Sequence, residues 1–279
     1  MSNIRAILSV GDPPAWAAVP PRDRPLDPNS ALRWLPAAEN NGRVPVPRTE
    51  IVRVDPLALW GEIGEAGDNA KGAIPVDWAA MERAAEAIGY PCFVRTDLAS
   101  AKHDGPESYR VNGPEDIRGV VLQTFYDNAM KDLAAGPTPL RAILFRQWLD
   151  LDAPFTAFGG HPIAREWRLF ADGSRVHCRH FYWPAEAIED HTPSTPDWRT
   201  RLATMGRLAR GMRDLLDVAA VVAAGTLAES LPGEVWSVDF ARDRAHRWWL
   251  IDMARARSSW HPADCKGHAA TPADGRGGA

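Results

Sequence analysis

Residues 163–183 read Ile-Ala-Arg-Glu-Trp-Arg-Leu-Phe-Ala-Asp-Gly-Ser-Arg-Val-His-Cys-Arg-His-Phe-Tyr-Trp. Two alternating runs flank Asp172-Gly173, and a two-residue turn of this kind needs positive φ, which makes Asp-Gly the strongest short-range hairpin signal. Pairing Ala171 with Ser174 sets a register in which Leu169 faces Val176, Trp167 faces Cys178 and Glu166 faces Arg179. One face then carries Trp167, Leu169, Val176 and Cys178, a core face. The other carries Glu166, Arg168, His177 and Arg179. A solvated face usually mixes in Ser, Thr and Lys. Two arginines and a histidine around one carboxylate look instead like a floor for an anion. The plainer alternative is an exposed, ion-paired sheet face that is worth little energetically.

A second hairpin lies further on, in Glu234–Ala241 (EVWSVDFA) and Arg247–Met253 (RWWLIDM). Trp236, Val238 and Phe240 share a face with Trp249, Ile251 and Met253, all apolar. Asp239 and Asp252 share the opposite face. If residues 244–247 form a four-residue loop, Asp239 lies directly across from Asp252. A tight turn at Asp243-Arg244 would leave them about four residues apart, beyond the reach of one metal ion. Opposed like charges destabilise a strand pair unless a cation sits between them. Magnesium suits that place, as a hard ion held by one or two carboxylates with substrate phosphates completing its shell. The alternative is a pair of solvent-facing acids at strand ends.

The rest of the chain alternates irregularly between helices and strands. Residues 1–45 hold many prolines and tryptophans and read as an irregular wrapping segment with a short strand at 3–10. Glu50–Asp55 reads as a strand, and Pro56–Ile63 as a helix with Asp55 as N-cap and Pro56 at its first position. A Gly/Asp/Asn-rich loop spans 64–73. Asp77 then caps a helix to Ile88 in which Trp78, Met81, Ala85 and Ile88 recur at helical spacing, and Gly89 ends it. Tyr90–Thr96 is a buried strand leading into Asp97–Gly105. Glu115–Asp132 is an amphipathic helix and Pro139–Trp148 an apolar strand ending at Asp150 and Asp152. Trp198–Leu227 is helical with a break near Gly211, and 263–279 has no apolar pattern and reads as a disordered tail. Antiparallel pairs with irregularly placed helices define an α+β fold rather than a doubly wound parallel sheet.

Composition narrows the function. At 279 residues, with 45% hydrophobic and 24% charged residues, the chain can bury a substantial core. A net charge of −4 argues against a general nucleic-acid binder. Cys92, Cys178 and Cys265 lack metal-ligand spacing and point to a reducing compartment without a disulfide framework. No apolar run reaches the length of a signal peptide or a membrane span, which points to a cytoplasmic protein. Of 32 basic residues only Lys71, Lys102, Lys131 and Lys266 are lysines, so a Lys in a patterned segment suggests that a compact ammonium is wanted there. Phosphate-loop, dinucleotide-fold and nucleophile-elbow motifs do not occur. His177-Cys178-Arg179-His180 has the look of a metal cluster, but its members alternate faces on a strand, which argues against zinc.

The order is now a strand with Arg95, a loop with Lys102, a strand ending at Gln147-Trp148, the Glu166-x-Arg168 hairpin, and Asp239 and Asp252 on a last hairpin. This order resembles the ATP-grasp superfamily, in which two antiparallel-sheet lobes close on ATP. It is similar in particular to the divergent branch containing the eukaryotic chaperone that assembles translation initiation factor 2, and to small ATP-grasp proteins of bacteria and phages. PCFVRTDLASAKHDG, LFRQWLDLD, EWRLFADGSRV and WSVDF…WWLIDMARARSSWH carry the resemblance, over roughly residues 90–262. It implies an N-terminal region at 1–75, a small lobe at 76–147, a large lobe with the metal site at 148–262 and a tail at 263–279. It further implies Arg95 and Lys102 on phosphates, with Glu166 also at the nucleotide. Gln147, Trp148 and Leu149 would read the adenine edge, Asp150 the ribose, and Asp239 and Asp252 would ligate magnesium. Arg168, with Arg179 and Lys102, would act in catalysis by covering the charge of the transferring phosphoryl group. Two departures stand out. Met253 and Ala254 follow Asp252 where an acid-x-Asn pattern is usual, which leaves a second magnesium without its amide. Ala99-Ser100-Ala101-Lys102-His103 replaces the usual Gly-rich loop.

The resemblance implies an ATP- and magnesium-dependent ligase joining a small-molecule or peptide acid to an amine through an acyl phosphate. Its alternative is a nucleotide-binding assembly protein that uses ATP to fix a conformation for a protein partner.

Overall fold

The computed structural model describes residues 26–64, 75–100, 105–106, 109–132, 140–262 and 265. The expected strand at 3–10, the loop at 65–73, Lys102 and the tail apart from Cys265 lie outside these residues. The described chain divides into two compact units, residues 26–32 with 48–148 and residues 33–47 with 149–265. Every strand ladder among the described residues is antiparallel, in two four-stranded sheets and one two-stranded pair. The fold is α+β.

Helix α1 (Ala31–Asn41) has its first two residues in the first unit and the rest in the second. Its existence corrects the irregular reading of 1–45. Pro36 sits inside it and removes only one intrahelical hydrogen bond, while Trp34, Leu35 and Ala38 are buried. Burial of that stripe outweighs the proline.

The first unit continues with β1 (Thr49–Arg53), α2 (Pro56–Ile63), α3 (Trp78–Ile88), β2 (Cys92–Thr96), β3 (Arg110–Val111), α4 (Ile117–Asp132) and β4 (Ala142–Gln147). The strand order is β1-β4-β2-β3. Local chemistry sets the helix starts. Asp55 accepts the Leu57 N–H at 3.1 Å with Pro56 following it, and Asp77 accepts the Ala80 N–H at 2.8 Å. Gly64 closes α2 at φ 82°, a conformation that glycine adopts without steric cost. Val52, Val94, Ile143 and Phe145 turn one sheet face into a core with Met81 of α3 and Phe125 of α4. Each such side chain contributes about 1.5–3 kcal/mol when fully buried.

The second unit holds β5 (Phe155–Ala157), β6 (His161–Ile163), β7 (Glu166–Ala171), β8 (Val176–Phe181), α5 (Glu186–Glu189), α6 (Trp198–Met205), α7 (Arg210–Gly225), β9 (Trp236–Arg242) and β10 (Trp248–Arg255). Its main sheet has the order β10-β9-β7-β8. The expected helix break near Gly211 falls instead between Met205 and Arg210, and Gly211 sits in the first turn of α7. Phe155, Ile163, Trp183, Trp198 and Leu202 form a satellite core.

The first hairpin departs from the expected register throughout β8's pairing, and the second departs from it near its turn while keeping Asp239 opposite Asp252. In the first, Trp167 pairs with Phe181, Leu169 with Arg179 and Phe170 with Cys178, and a bulge then pairs Ala171 with Val176. Beyond the bulge the offset from the expected pairing is odd, so the β8 side chains from Cys178 onward turn to the other face, while Val176 keeps the expected one. Cys178 and His180 leave the core side, and Arg179 moves onto it. The cause lies in the turn. Asp172 accepts hydrogen bonds from Ser174 N and Oγ and from Arg175 N, building a wider loop over 172–175. Gly173 has no positive φ. A Cβ there would come within 3.2 Å of the Gly225 Cα, so glycine permits close approach to the end of α7.

In the second hairpin Trp248, Leu250 and Met253 face the core with Phe240 and Val238, not Trp249 and Ile251 as expected. Near the turn Trp248 pairs with Arg242, a register that would set Asp239 opposite Ile251. A bulge between Leu250 and Asp252 inserts one residue, and Asp252 becomes the partner of Asp239.

Candidate functional site

The second unit's sheet lines up side chains in rows across its strands. One row runs Asp252 (β10), Asp239 (β9), Arg168 (β7), His180 (β8). The next row on the same face runs Ala254, Ser237, Phe170, Cys178. On the other side of the first row Glu166 pairs with Ala241, and its carbonyl accepts the Tyr182 N–H. The opposite face carries Leu169, Arg179 and Val238, against which α7 packs.

Arg168 and Asp239 form a two-pronged pair, Nε to Oδ1 at 2.8 Å and Nη2 to Oδ2 at 2.7 Å. Their side chains are only 12% and 5% exposed, so both charges are largely withdrawn from water. Arg168 Nη1 donates to the Trp260 carbonyl at 3.3 Å, and the guanidinium carbon stands 4.8 Å from the Tyr182 ring centre. Burial works against the charge on Arg168. The Asp239 carboxylate outweighs it, with Tyr182 and Glu166 adding to the effect, and carries the guanidinium well above its ordinary pKa. Asp252 is half-buried and accepts the Met253 N–H at 3.0 Å.

Arg168, Asp239, Asp252 and Glu166 thus share one face. Arg179 does not. It binds Asp217 of α7 through Nε at 3.0 Å and Nη2 at 2.5 Å on the reverse of the sheet. The expectation that it shares the anion floor is corrected by the register of β8. His177 lies away from the row as well, bonded to Asp172 at 2.8 Å in the turn.

The nucleotide residues expected from the first unit occupy the sheet and its end. Arg95 is buried on β2 and donates from Nε to the Thr96 carbonyl at 3.0 Å. Gln147 ends β4, bonded through its backbone N–H to the Arg48 carbonyl at 2.8 Å. Trp148 stacks on Tyr109, with Arg110 over its ring at 4.8 Å. In the second unit Leu149 begins the chain that leads to Asp150, whose exposed carboxylate accepts Arg244 Nε at 3.0 Å. Lys102 lies outside the described residues.

The segment after β10 crosses this same face, and His261 and Cys265 had no expected role there. Ser259 Oγ meets Ser237 Oγ at 2.6 Å on β9, the Trp260 carbonyl meets Arg168 on β7, and the His261 ring packs edge-on against Phe170 and His180. Burial, with the Cys265 thiol beside it, pushes the Cys178 thiol up to about 12. The signal was present as Cys178-x-His180 and His261-x3-Cys265, two short ligand-type pairs separated by most of the unit.

The sheet of this mixed fold thus presents paired acids beside a buried arginine. No family model matches the chain, and no curated protein sequence matches it. Among solved structures the chain is similar to C-terminally truncated Cdc123 from Schizosaccharomyces pombe, at 12% identity and TM-score 0.48, over 81% of this chain and 82% of that one. It is similar to the L-amino acid ligase from Bacillus licheniformis at 9% identity and TM-score 0.42, over 81% of this chain and 42% of that one. A third likeness is to the ATP-grasp ligase PsnB, solved with a minimal precursor, at 10% identity and TM-score 0.37, over 80% and 52%.

Proposed function

We propose that the chain is an ATP- and magnesium-dependent ligase that joins a carboxylate to an amine, or a related nucleophile, through an acyl phosphate. The observation that supports it is the row Asp252–Asp239–Arg168, two cross-strand carboxylates beside a two-pronged guanidinium. Hard oxygen donors on adjacent strands fit magnesium, and Asp239 and Asp252 would hold it. Bound there, magnesium would supply charge neutralisation for the transferring phosphoryl group. Arg168 would hold the phosphate oxygens, since a planar fork matches them in a way an ammonium cannot. Arg95, Lys102, Gln147, Trp148, Leu149, Asp150 and Glu166 keep the nucleotide roles that the resemblance gives them.

The pair in the structure adds a physical constraint. The edge of Arg168 that would grip phosphate is the one now bonded to Asp239. An anion therefore competes with Asp239 for Arg168, and a cation competes with Arg168 for Asp239. Each ligand lowers the cost of the other, so ATP and magnesium should bind with positive, reciprocal coupling.

The test is thermal stability with each ligand alone and both together, followed by ADP release across a panel of acids and amines. Either ligand alone should move the melting temperature little. Together they should stabilise by about 2.7 kcal/mol at a hundredfold excess over the dissociation constant. An unchanged melting temperature with both would refute nucleotide binding. Stabilisation without acceptor-dependent ADP release would refute the ligase and leave the nucleotide-dependent partner-binding reading.

A further inference from the structure

Cys178, His180, His261 and Cys265 bring their ligand atoms within 4.8 Å of one another. Tetrahedral zinc with Zn–S of about 2.3 Å and Zn–N of about 2.0–2.1 Å separates its ligands by about 3.3–3.8 Å. The Cys178 Sγ and His261 Nε2 are already 3.0 Å apart, so small side-chain rotations would close such a shell. Strand alternation, which counted against a metal when His177–His180 was read as one run, works in its favour here. Residues 178 and 180 are two apart and share a face, while Arg179 is on the reverse. The second pair arrives on the crossing segment. The Cys265 N–H bonds the Pro262 carbonyl at 3.1 Å, a turn that brings this cysteine back toward the sheet.

The His261 ring is set for ligation. Its Nδ1 lies 3.1 Å from the Pro262 carbonyl. A carbonyl can only accept, so Nδ1 carries the proton and the Nε2 of a neutral ring presents a lone pair. That lone pair points at the Cys178 sulfur. A metal-bound histidine ordinarily has this arrangement, one nitrogen on the metal and the other donating to a carbonyl. Two thiols and two imidazoles are a soft-to-borderline donor set that favours zinc over magnesium or calcium.

We propose that these four residues bind one zinc ion in a closed structural site that fastens residues 259–262 and Cys265 across the sheet. It is distinct from the Asp239–Asp252 pair, whose oxygen donors suit a different ion. Four protein ligands leave no open position, so the role is structural rather than catalytic. Binding forms two Zn–S and two Zn–N bonds and releases the two thiol protons to solvent. The fastened segment includes Trp260, whose carbonyl accepts from Arg168. Zinc would therefore set the surroundings of that arginine without touching substrate.

The test uses untagged full-length protein purified without chelator and dialysed against magnesium buffer. Elemental analysis should find about one zinc per chain. Cobalt substitution should give the visible absorption of a tetrahedral thiolate site. Cys265→Ser and His261→Ala lie beyond the sheet, so circular dichroism should remain that of wild type while zinc falls away. Removing zinc from wild type should open residues 259–262 to protease. Three results would each overturn the proposal: no zinc retained, zinc unchanged in both variants, or a Cys178–Cys265 disulfide by mass spectrometry in the protein as purified.

Discussion

Replacing Arg168 by Met keeps much of the side chain's bulk and removes its charge. What remains is the Asp239 carboxylate, 5% exposed and with Asp252 as its cross-strand neighbour. Removing one partner of a buried pair costs about 3–5 kcal/mol, because the other charge stays buried without compensation. At roughly 3 °C per kcal/mol, the melting temperature should fall by about 9–15 °C. The double variant Arg168→Met with Asp239→Leu should recover most of that, since an apolar pair of similar volume replaces the ion pair at little cost. Magnesium distinguishes the variants further. It should stabilise Arg168→Met more than wild type, because no guanidinium competes for the carboxylates, and it should leave the double variant unmoved.

The measurement is thermal unfolding in magnesium-free buffer with and without millimolar magnesium, and without chelator so that the Cys178–Cys265 cluster keeps any zinc. A loss of about 1 kcal/mol or less in Arg168→Met would mean that the pair behaves as a solvated surface bridge. A double variant no more stable than the single one would mean that the loss does not come from an uncompensated carboxylate. Either result refutes the reasoning about the row.

Other expectations follow from groups away from that row. Asp172 anchors the β7–β8 turn, and Asp172→Ala should cost about 1–2 kcal/mol in urea denaturation at neutral pH. Burial opposes its charge, but the bonds from Ser174, Arg175 and His177 hold its carboxyl far below the usual range. The wild-type advantage should therefore be complete above about pH 4 and shrink on acidification through the folded value, and a pH-independent difference would exclude this origin. Asp97 is the opposite case. Burial pushes it up, against hydrogen bonds from Ser30 Oγ and the Arg141 and Ala142 N–H groups. Its contribution is full below the unfolded pKa of about 3.9 and lost as pH rises through the folded value. Asp97→Asn keeps the amide-facing oxygen and can donate to Ser30, so it should gain on wild type as pH rises above about 4, and parallel stability curves would refute this. Arg179→Met removes a half-exposed pair with Asp217 and should cost about 1 kcal/mol or less. Its stabilisation by ATP and magnesium should match wild type, and loss of that response would return Arg179 to the site.

Helix starts were legible because their chemistry is local. Asp55-Pro56 and Asp77 write an N-cap within four residues, and the structure has both. Helix α1 was not legible, because Pro36 is a local breaker whose effect is outweighed by tertiary burial of Trp34 and Leu35. Both hairpins were recognisable from period-two alternation, and so were the charged residues that stand out from it. Their partners were not. Asp172-Gly173 carries the composition of a two-residue turn, yet the Asp172 side chain organises a wider loop, and Gly173 answers to Gly225, which is distant in sequence.

The same physical device decides the candidate site in both hairpins. A bulge adds one residue to one strand and shifts everything beyond it by one, with no mark in the hydrophobic pattern. In β10 it brings Asp252 opposite Asp239, where the plain continuation from Trp248–Arg242 would have placed Ile251. In β8 the bulge and wide turn together set His180, not His177, opposite Arg168, and turn Arg179 to the other face. That one change removes a guanidinium from the face, leaves Arg168 as the cation beside two acids, and turns Cys178 and His180 toward the segment that carries His261 and Cys265. The residue types were readable in the sequence, but which of them act together was decided by two insertions in strand register. The turns are where this is decided, because an odd shift in register there carries an arginine off the face and leaves a different histidine opposite Arg168.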